Sequence, residues 1–203
     1  GHQAPMSAPR LLVLHDVRGV VSSADTGSAT QRGGALADEL RSTVNRLMES
    51  LISAGATATC WCRHIPTGET VEVDADRQMN ALSTIKVPIL VVAFRDASTG
   101  TLNLDDRHSL EPGDFRRGSG VLQRFSSGLA PALRDLCFQM IATSDNTATD
   151  LMLAAVGGPS RVNAVMGELG LPRTKVHKPT GQFFRRLWER VDPAWARRSR
   201  RRW

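Results

Sequence analysis

The stretch Leu82-Ser-Thr-Ile-Lys-Val-Pro-Ile-Leu-Val-Val-Ala-Phe94 joins two chemically reactive side chains to a long apolar run. The apolar run predicts a helix over residues 83–96 that is buried on all sides. Ser83 and Lys86 lie three residues apart at its start, so they share one face and the lysine amine can reach the serine hydroxyl. A serine needs such a basic neighbour to become a nucleophile, and helix amides can stabilise an oxyanion. The same spacing also fits a serine N-cap followed by an incidental lysine.

A second polar motif, Ser144-Asp145-Asn146, falls between two predicted helices. Side chains at such a junction can point into a cleft. A serine hydroxyl there can relay a proton to a leaving nitrogen, and an asparagine amide can bind a substrate carbonyl. Taken alone, the motif also fits an Asx-type helix cap. The order and separation of the two motifs are what favour a functional interpretation of both.

The rest of the chain is predicted to be mostly helical, with one β-hairpin. Apolar residues over 36–52 recur every three or four positions and end at Gly55, which is typical of an amphipathic helix with a glycine C-cap. Two β-rich runs, residues 57–64 and 69–73, are joined through Pro66-Thr67-Gly68, the chemistry of a hairpin turn. Further helices are predicted at 131–144, 146–156 and 159–169.

Composition excludes several classes of protein. The 203 residues are 41% hydrophobic and 23% charged, which is typical of one globular domain with or without a tail. No apolar run approaches the roughly 18 residues that a membrane span needs. The five histidines are scattered singly, so we expect no metal site and no cofactor. The three cysteines are interpreted as buried free thiols.

The net charge of +6 is confined to the end of the chain. Residues 181–203 hold eight arginines against Glu189 and Asp192, so residues 1–180 are neutral and show no footprint for a polyanion. This tail fits an amphipathic basic helix, out-of-frame translation of a truncated gene, or a patch for nucleic acid or an anionic membrane. Of these three alternatives, the binding patch is the least favoured.

Together the motifs resemble the penicillin-recognising serine hydrolases, specifically class A β-lactamases and their β-lactamase-like relatives. The resemblance covers about residues 35–178 and rests on Leu82 to Ile89, Gly118-Ser-Gly-Val-Leu122 and Met140-Ile-Ala-Thr-Ser-Asp-Asn-Thr-Ala-Thr149.

The resemblance implies a role for each residue of the two motifs. Ser83 would be the acyl-accepting nucleophile and Lys86 its base or proton conduit. Ser144 would relay a proton, and Asn146 would contact the substrate amide. Asp145 would cap and orient the loop.

The implied fold is α+β and β-lactamase/transpeptidase-like, with a helical subdomain plus an incomplete α/β subdomain that contains a two-strand hairpin. We expect a flexible lead-in over 1–34, a partial β-lactamase-like domain over 35–180 and a basic Arg/Trp-rich tail over 181–203. Compared with the family, the chain would be C-terminally truncated. Its open strand edge would then favour self-association.

Two features of the family are missing at the matching positions. Thr180 stands where class A enzymes carry the glutamate that activates water to free the acyl-enzyme. Lys178-Pro-Thr-Gly181 resembles the family's Lys-Thr-Gly strand only superficially, because a proline would remove a ladder donor. Arg116 and Arg117, at the expected cleft edge, are interpreted as a solvated pair, the alternative being a contact for a substrate carboxylate.

The sequence therefore predicts a serine hydrolase that acts by acyl transfer on β-lactam-like or D-Ala-D-Ala-like amides, with impaired deacylation. Its partner would be a small-molecule amide or β-lactam. The alternatives are a catalytically inactive truncated homologue and a basic-tailed binding module. The family implies a periplasmic or secreted protein, although no signal peptide is visible.

Overall fold

A computed structural model of the chain describes residues 29–65 and 68–191, and it divides the chain into two compact units, residues 1–80 and 81–203. Most of the predicted lead-in, residues 1–28, lies outside the described residues, as do Pro66 and Thr67 of the predicted turn and residues 192–203 of the predicted tail. Within the described part, no helix combines the length and apolar character that crossing a bilayer requires.

The first unit contains the predicted long helix and hairpin. Helix α1 spans Ala29–Ser53, so it begins inside the predicted lead-in. Gly55 follows it with a φ of +79°, the left-handed conformation of a glycine C-cap. Strands β1 (Cys60–Arg63) and β2 (Thr70–Val73) pair antiparallel, and α1 packs against β2. The hairpin is the whole sheet among the described residues.

The cysteines of the hairpin differ from the prediction. All three cysteines are free, but Cys60 is half-buried and Cys62 is exposed, whereas Cys137 is buried as expected. Since α1 packs against β2, the neighbouring strand β1 keeps three of its four residues exposed. The interpretation as buried thiols is therefore wrong for the two cysteines of β1.

The second unit is built around α4 (Asn146–Ala155), which contacts every other α-helix of the unit. Those helices are α2 (Lys86–Ser98), α3 (Leu133–Ala142), α5 (Gly158–Glu168) and α6 (Thr180–Val191). Two 3-10 turns, Leu82–Ile85 and Leu122–Arg124, complete it. The core is apolar and almost fully buried. The largest apolar side chains with less than 2% of their surface exposed are Ile89, Leu110, Leu136, Met140, Met152, Val92, Val162 and Val165.

Helix α2 is not buried on all sides, so that prediction is wrong. Ile89 and Val92 are buried, whereas Val87, Val91 and Phe94 expose 53%, 38% and 55% of their surface. The exposed residues follow steps of four and three, so they form one stripe along the helix. Helices α3, α4 and α5 pack against α2 and bury only part of its surface. An apolar run alone does not encode which of its faces will find neighbours.

The predicted tail begins inside a regular element of the second unit. Helix α6 starts at Thr180, so the predicted boundary between residues 180 and 181 falls within its first turn. Lys178-Pro-Thr-Gly181 enters this helix and forms no strand, in agreement with the sequence argument against it. Arg185, Arg186 and Arg190 are exposed on α6. The change in charge therefore marks the surface of a helix that contacts α4.

The turn that precedes α4 depends on the buried carboxylate of Asp145. Its Oδ1 accepts a hydrogen bond from the Ala148 amide at 3.0 Å, which caps α4 as predicted. Its Oδ2 accepts one from the Leu122 amide at 2.8 Å, which ties residues 120–122 to the start of α4. Gly120, with a φ of +102°, lies so close that any Cβ there would overlap Asp145.

Gly120→Ala is expected to lower the free energy of unfolding far more than Gly128→Ala. Both positions have positive φ, +102° and +90°, so each alanine adds about 1–2 kcal/mol of backbone strain. A Cβ at position 128 meets nothing within 4 Å, whereas one at position 120 displaces Asp145. Each hydrogen bond that Asp145 loses adds about 1–3 kcal/mol. Urea unfolding measures the difference, and equal losses would contradict the role given to Gly120.

Candidate active site

Ser83 lies exposed in the 3-10 turn that leads into α2. The α-helix itself begins at Lys86, three residues later than predicted. Residues three apart eclipse each other in a 3-10 turn, so Ser83 and Lys86 still share a face. Leu82 precedes them with a φ of +45°, which a leucine rarely adopts. This strain lies next to the predicted nucleophile, where backbone strain is often found in enzymes.

Ser144 faces Ser83 from the junction between α3 and α4. Its φ is +54°, an uncommon conformation for a residue other than glycine. Its hydroxyl Oγ donates a hydrogen bond to Ser83 Oγ at 2.9 Å. The second unit therefore brings together two of the predicted catalytic hydroxyls, which lie 61 positions apart in the sequence.

Lys86 is buried behind the two serines, with 2% of its surface exposed. Its Nζ donates hydrogen bonds to the Ser144 carbonyl at 2.5 Å, to Ser144 Oγ at 2.8 Å and to Asn146 Oδ1 at 3.2 Å. These three bonds match the three N–H groups of an ammonium. The sequence predicted that Lys86 would reach Ser83 directly. The hydrogen bonds instead run from Lys86 to Ser144 and from Ser144 to Ser83.

Burial lowers the pKa of Lys86 below its ordinary value of 10.5, because the charged form loses hydration. The negative charges of Asp145 and Asp150 act in the opposite direction and favour the ammonium. The balance leaves a lysine that gives up its proton more easily than a lysine in water. A lysine whose neutral form is easier to reach is better suited to accept a proton during a reaction.

Asn146 is buried at the start of α4 and is held on several sides. Besides accepting from Lys86, its side chain donates from Nδ2 to the Arg117 carbonyl at 3.0 Å. Its backbone amide donates to the Ser119 carbonyl at 3.1 Å. A Cβ on Gly118 would lie 2.7 Å from Nδ2, so glycine at this position allows the backbone to approach the amide without a clash.

Asp150 is a buried group that the sequence analysis missed, four residues after Asn146 on α4. Its Oδ1 accepts from the amide and hydroxyl of Thr180 at 2.6 and 2.7 Å. Its Oδ2 accepts from the Gly181 amide at 3.1 Å and from Arg116 Nε at 2.7 Å. Asp150 lies four residues after Asn146, so both residues are on one face of a helix. This spacing is the sequence signal that could have revealed Asp150.

Arg116 is therefore not one of a solvated pair, and that interpretation is wrong for it. Its ion pair with Asp150 is largely buried, with 25% and 7% of the two side chains exposed. Arg117 is exposed, as expected. The sequence could not predict this ion pair. Residues 1–180 contain equal numbers of acidic and basic side chains, and sequence alone does not show which of them will pair.

No group of three histidine, cysteine, aspartate or glutamate side chains that could hold a metal ion occurs among residues 29–65 and 68–191.

The family comparison covers most of the chain. The profile described as "Beta-lactamase enzyme family" matches residues 39–194, which include all four predicted site residues. The chain belongs to this β-lactamase family. Among curated members, β-lactamase PSE-4 of Pseudomonas aeruginosa is 30% identical over 55% of this chain and 38% of its own length. The β-lactamase regulatory protein BlaB of Streptomyces cacaoi is 25% identical over 75% of this chain and 49% of its own.

Solved structures of β-lactamase relatives share the fold. PBP-A matches 63% of this chain and 48% of its own, with 30% identity and a TM-score of 0.60. An ancestral class A β-lactamase matches 68% and 53%, with 25% identity and a TM-score of 0.64. The predicted β-lactamase/transpeptidase-like fold is thus confirmed. The chain spans about half the length, or less, of the relatives that it matches.

Lys86 is expected to make the protein more stable as the pH rises from its lowered pKa towards 10.5. In this range the unfolded lysine holds more protons than the folded one, so each rise in pH favours the folded state. Urea unfolding of the protein and of Lys86→Met at a series of pH values measures this dependence. The difference between their free energies of unfolding cancels the contribution of other groups that titrate at alkaline pH. A difference that does not change with pH would contradict the lowered pKa.

Proposed function

We propose that this member of the β-lactamase family transfers the acyl group of β-lactam-like or D-Ala-D-Ala-like amides to Ser83. The observation that supports this is the hydrogen-bonded series Lys86, Ser144 and Ser83, with the lysine buried and the nucleophilic hydroxyl exposed. An exposed hydroxyl can meet a substrate, and a buried amine can hold the proton that the hydroxyl must lose.

In the proposed reaction, neutral Lys86 accepts the proton of Ser83 through the hydroxyl of Ser144. Ser83 Oγ forms an ester bond with the substrate carbonyl carbon, and the carbon–nitrogen bond of the amide breaks. The Lys86 ammonium then returns this proton through the Ser144 hydroxyl to the leaving nitrogen, so that Lys86 is neutral again and charge and atoms balance. The lowered pKa of Lys86 supports the first step, because it increases the fraction of neutral amine.

Asn146 is proposed to bind the carbonyl of an amide substituent of the substrate, which is distinct from the amide bond that breaks. Its Nδ2 carries two N–H groups, and one of them donates to Arg117. We assign the other to the substrate. Glycine at position 118 supports this assignment, because a side chain there would clash with Nδ2 and displace the amide.

We further propose that the acyl-enzyme is hydrolysed slowly. The hydroxyl of Thr180 donates to Asp150, and a threonine is no general base at neutral pH. The two carboxylates whose charge acts on Lys86 are also engaged, since Asp145 accepts from two backbone amides and Asp150 from four donors. Carboxylate oxygens that already accept this many hydrogen bonds have few lone pairs left to bind and orient an attacking water.

One solved relative is described as a PBP-A mutant in an acyl-enzyme complex with penicillin G, and it matches 70% of this chain with a TM-score of 0.63. An isolated acyl-enzyme in a relative of this fold supports penicillin as the first compound to test. A catalytically inactive homologue is the alternative, which the regulatory protein BlaB among the relatives makes worth testing.

Incubation with benzylpenicillin is expected to add the mass of one penicillin molecule to the protein and none to Ser83→Ala. Intact-mass spectrometry of both proteins, with the small-molecule range recorded, measures the adduct and any hydrolysed drug. Hydrolysed drug without an adduct would refute slow deacylation but keep the acyl transfer. An adduct that survives in Ser83→Ala would refute Ser83 as nucleophile, and neither signal would favour the inactive homologue.

Ser144→Ala is expected to slow acylation by about 10²–10⁴-fold, because the proton path between Lys86 and Ser83 loses its middle hydroxyl. Thr143→Ala is the matched control. Its hydroxyl is one position earlier and donates to the carbonyl and side chain of Gln139. Time-resolved mass spectrometry of adduct formation measures both rates. Equal rates in the two variants would contradict the relay.

A further inference from the structure

We infer that Arg116 and Asp150 form a positioning pair that holds Asn146 in place for the substrate amide. This inference rests on the proposed acyl transfer and goes beyond it. It gives a role to two residues outside the catalytic motifs. It also implies that helix α6 helps to hold the site in place.

The segment that carries Arg116 also holds Asn146. Within it, the Arg117 carbonyl accepts from Asn146 Nδ2 at 3.0 Å and the Ser119 carbonyl accepts from the Asn146 backbone amide at 3.1 Å. The position of this segment therefore sets the position of the asparagine amide. The segment is itself joined to α4, because the Arg116 amide donates to Thr147 Oγ1 at 2.8 Å.

The Arg116 side chain provides a second anchor for the same segment. Its Nε donates to Asp150 Oδ2 at 2.7 Å, and its Nη1 donates to the Gly113 carbonyl at 2.6 Å. Hydrogen bonds between a guanidinium and a carboxylate are stronger than those between neutral groups. The Asp150 side chain is 7% exposed, so little water is available to replace the guanidinium.

Asp150 in turn is fixed by the first turn of α6. The amide and hydroxyl of Thr180 and the amide of Gly181 all donate to its carboxylate, which is favourable at a helix N-terminus. A Cβ at Gly181 would lie 2.8 Å from Arg116 Cδ and Nε, so glycine makes room for the guanidinium. Thr180 Oγ1 also lies 3.4 Å from the Asn146 carbonyl.

Loss of the guanidinium should therefore move the asparagine without unfolding the unit. In Arg116→Met, Asp150 keeps its three donors from α6, and the Arg116 backbone amide still donates to Thr147. Only the Arg116 side-chain anchor of the segment over 116–119 is lost, and Gln123 Nε2 still donates to the Gly118 carbonyl at 2.5 Å. The expected defect is in recognition of the substrate amide, since that is the group which Asn146 contacts.

The test compares benzylpenicillin, which carries an acylamino side chain, with 6-aminopenicillanic acid, which has a free amine in its place. Arg116→Met is expected to lower the second-order rate constant for acylation by benzylpenicillin about tenfold, the worth of one hydrogen bond, and that for 6-aminopenicillanic acid far less. Arg116→Lys should restore part of the ratio between the rate constants for benzylpenicillin and 6-aminopenicillanic acid. In a double-mutant cycle, Arg116→Met combined with Asp150→Asn should lose less than the sum of the single losses.

Arg161→Met is the matched control, because Arg161 pairs with the buried Asp96 at 2.8 Å in the same unit. Asp96 lies ten residues after Lys86 on α2, about 15 Å along the helix axis. This control should leave the ratio between the two compounds unchanged. An equal loss for both compounds in Arg116→Met, or the same change of ratio in Arg161→Met, would overturn the inference.

A second measurement does not need acylation. The ¹H–¹⁵N signal of the Asn146 side-chain amide should shift in Arg116→Met and stay in place in Arg161→Met. An unmoved signal in Arg116→Met overturns the positioning pair whatever the penicillin results are. Failure of the unaltered protein to react with either compound refutes the proposed function, and the amide signal still decides the inference.

Discussion

The carboxylate of Asp145 is the constraint on which the second unit depends. It holds the first turn of α4 through Ala148 and the 3-10 turn over 122–124 through Leu122. Because α4 contacts α2, α3, α5 and α6, a fixed start of α4 fixes the residues on either side of Asp145. Ser144 is thereby kept in its uncommon positive-φ conformation, and Asn146 is kept at the first position of the helix. One buried acid therefore connects helix packing to the chemistry of the site.

The burial of Lys86 opposes stability and at the same time favours the chemistry proposed for it. Removing an ammonium from water costs several kcal/mol unless its N–H groups find acceptors. The three acceptors here belong to Ser144 and Asn146, so the cost is offset by the same residues that are proposed to act on the substrate. A more exposed lysine would fold at less cost but would hold its proton more firmly. The strained φ values of Leu82 and Ser144 follow the same logic, because strain at a site must be repaid by packing elsewhere.

Local signals in the sequence were sufficient for much of the fold, whereas the four residues that meet in the site were singled out by the order and separation of two motifs and by their resemblance to a known family. Gly55 ends α1, and Asp145 caps α4, because caps depend on chemistry within a few residues. Ser83 and Lys86 share a face under either helical geometry, so their relation survived the change from α-helix to 3-10 turn.

Features that depend on distant neighbours could not be predicted in this way. The exposed stripe of α2 was missed because an apolar run does not show how many helices will cover it. The pairing of Arg116 with Asp150 joins residues 34 positions apart, and either charge alone is typical of a solvated surface. The division of the chain after Asn80 likewise arises from packing, and no linker composition marks it.

Gly118 and Gly120 have a consequence for how this protein can diversify. A side chain at either position would collide, with Asn146 in one case and with Asp145 in the other. Arg117 and Ser119 alternate with them, are exposed, and serve Asn146 only through their backbone carbonyls. We therefore expect new side chains to be tolerated along this edge of the candidate site only at the alternate positions 117 and 119, where they would leave Asn146 and Asp145 in place.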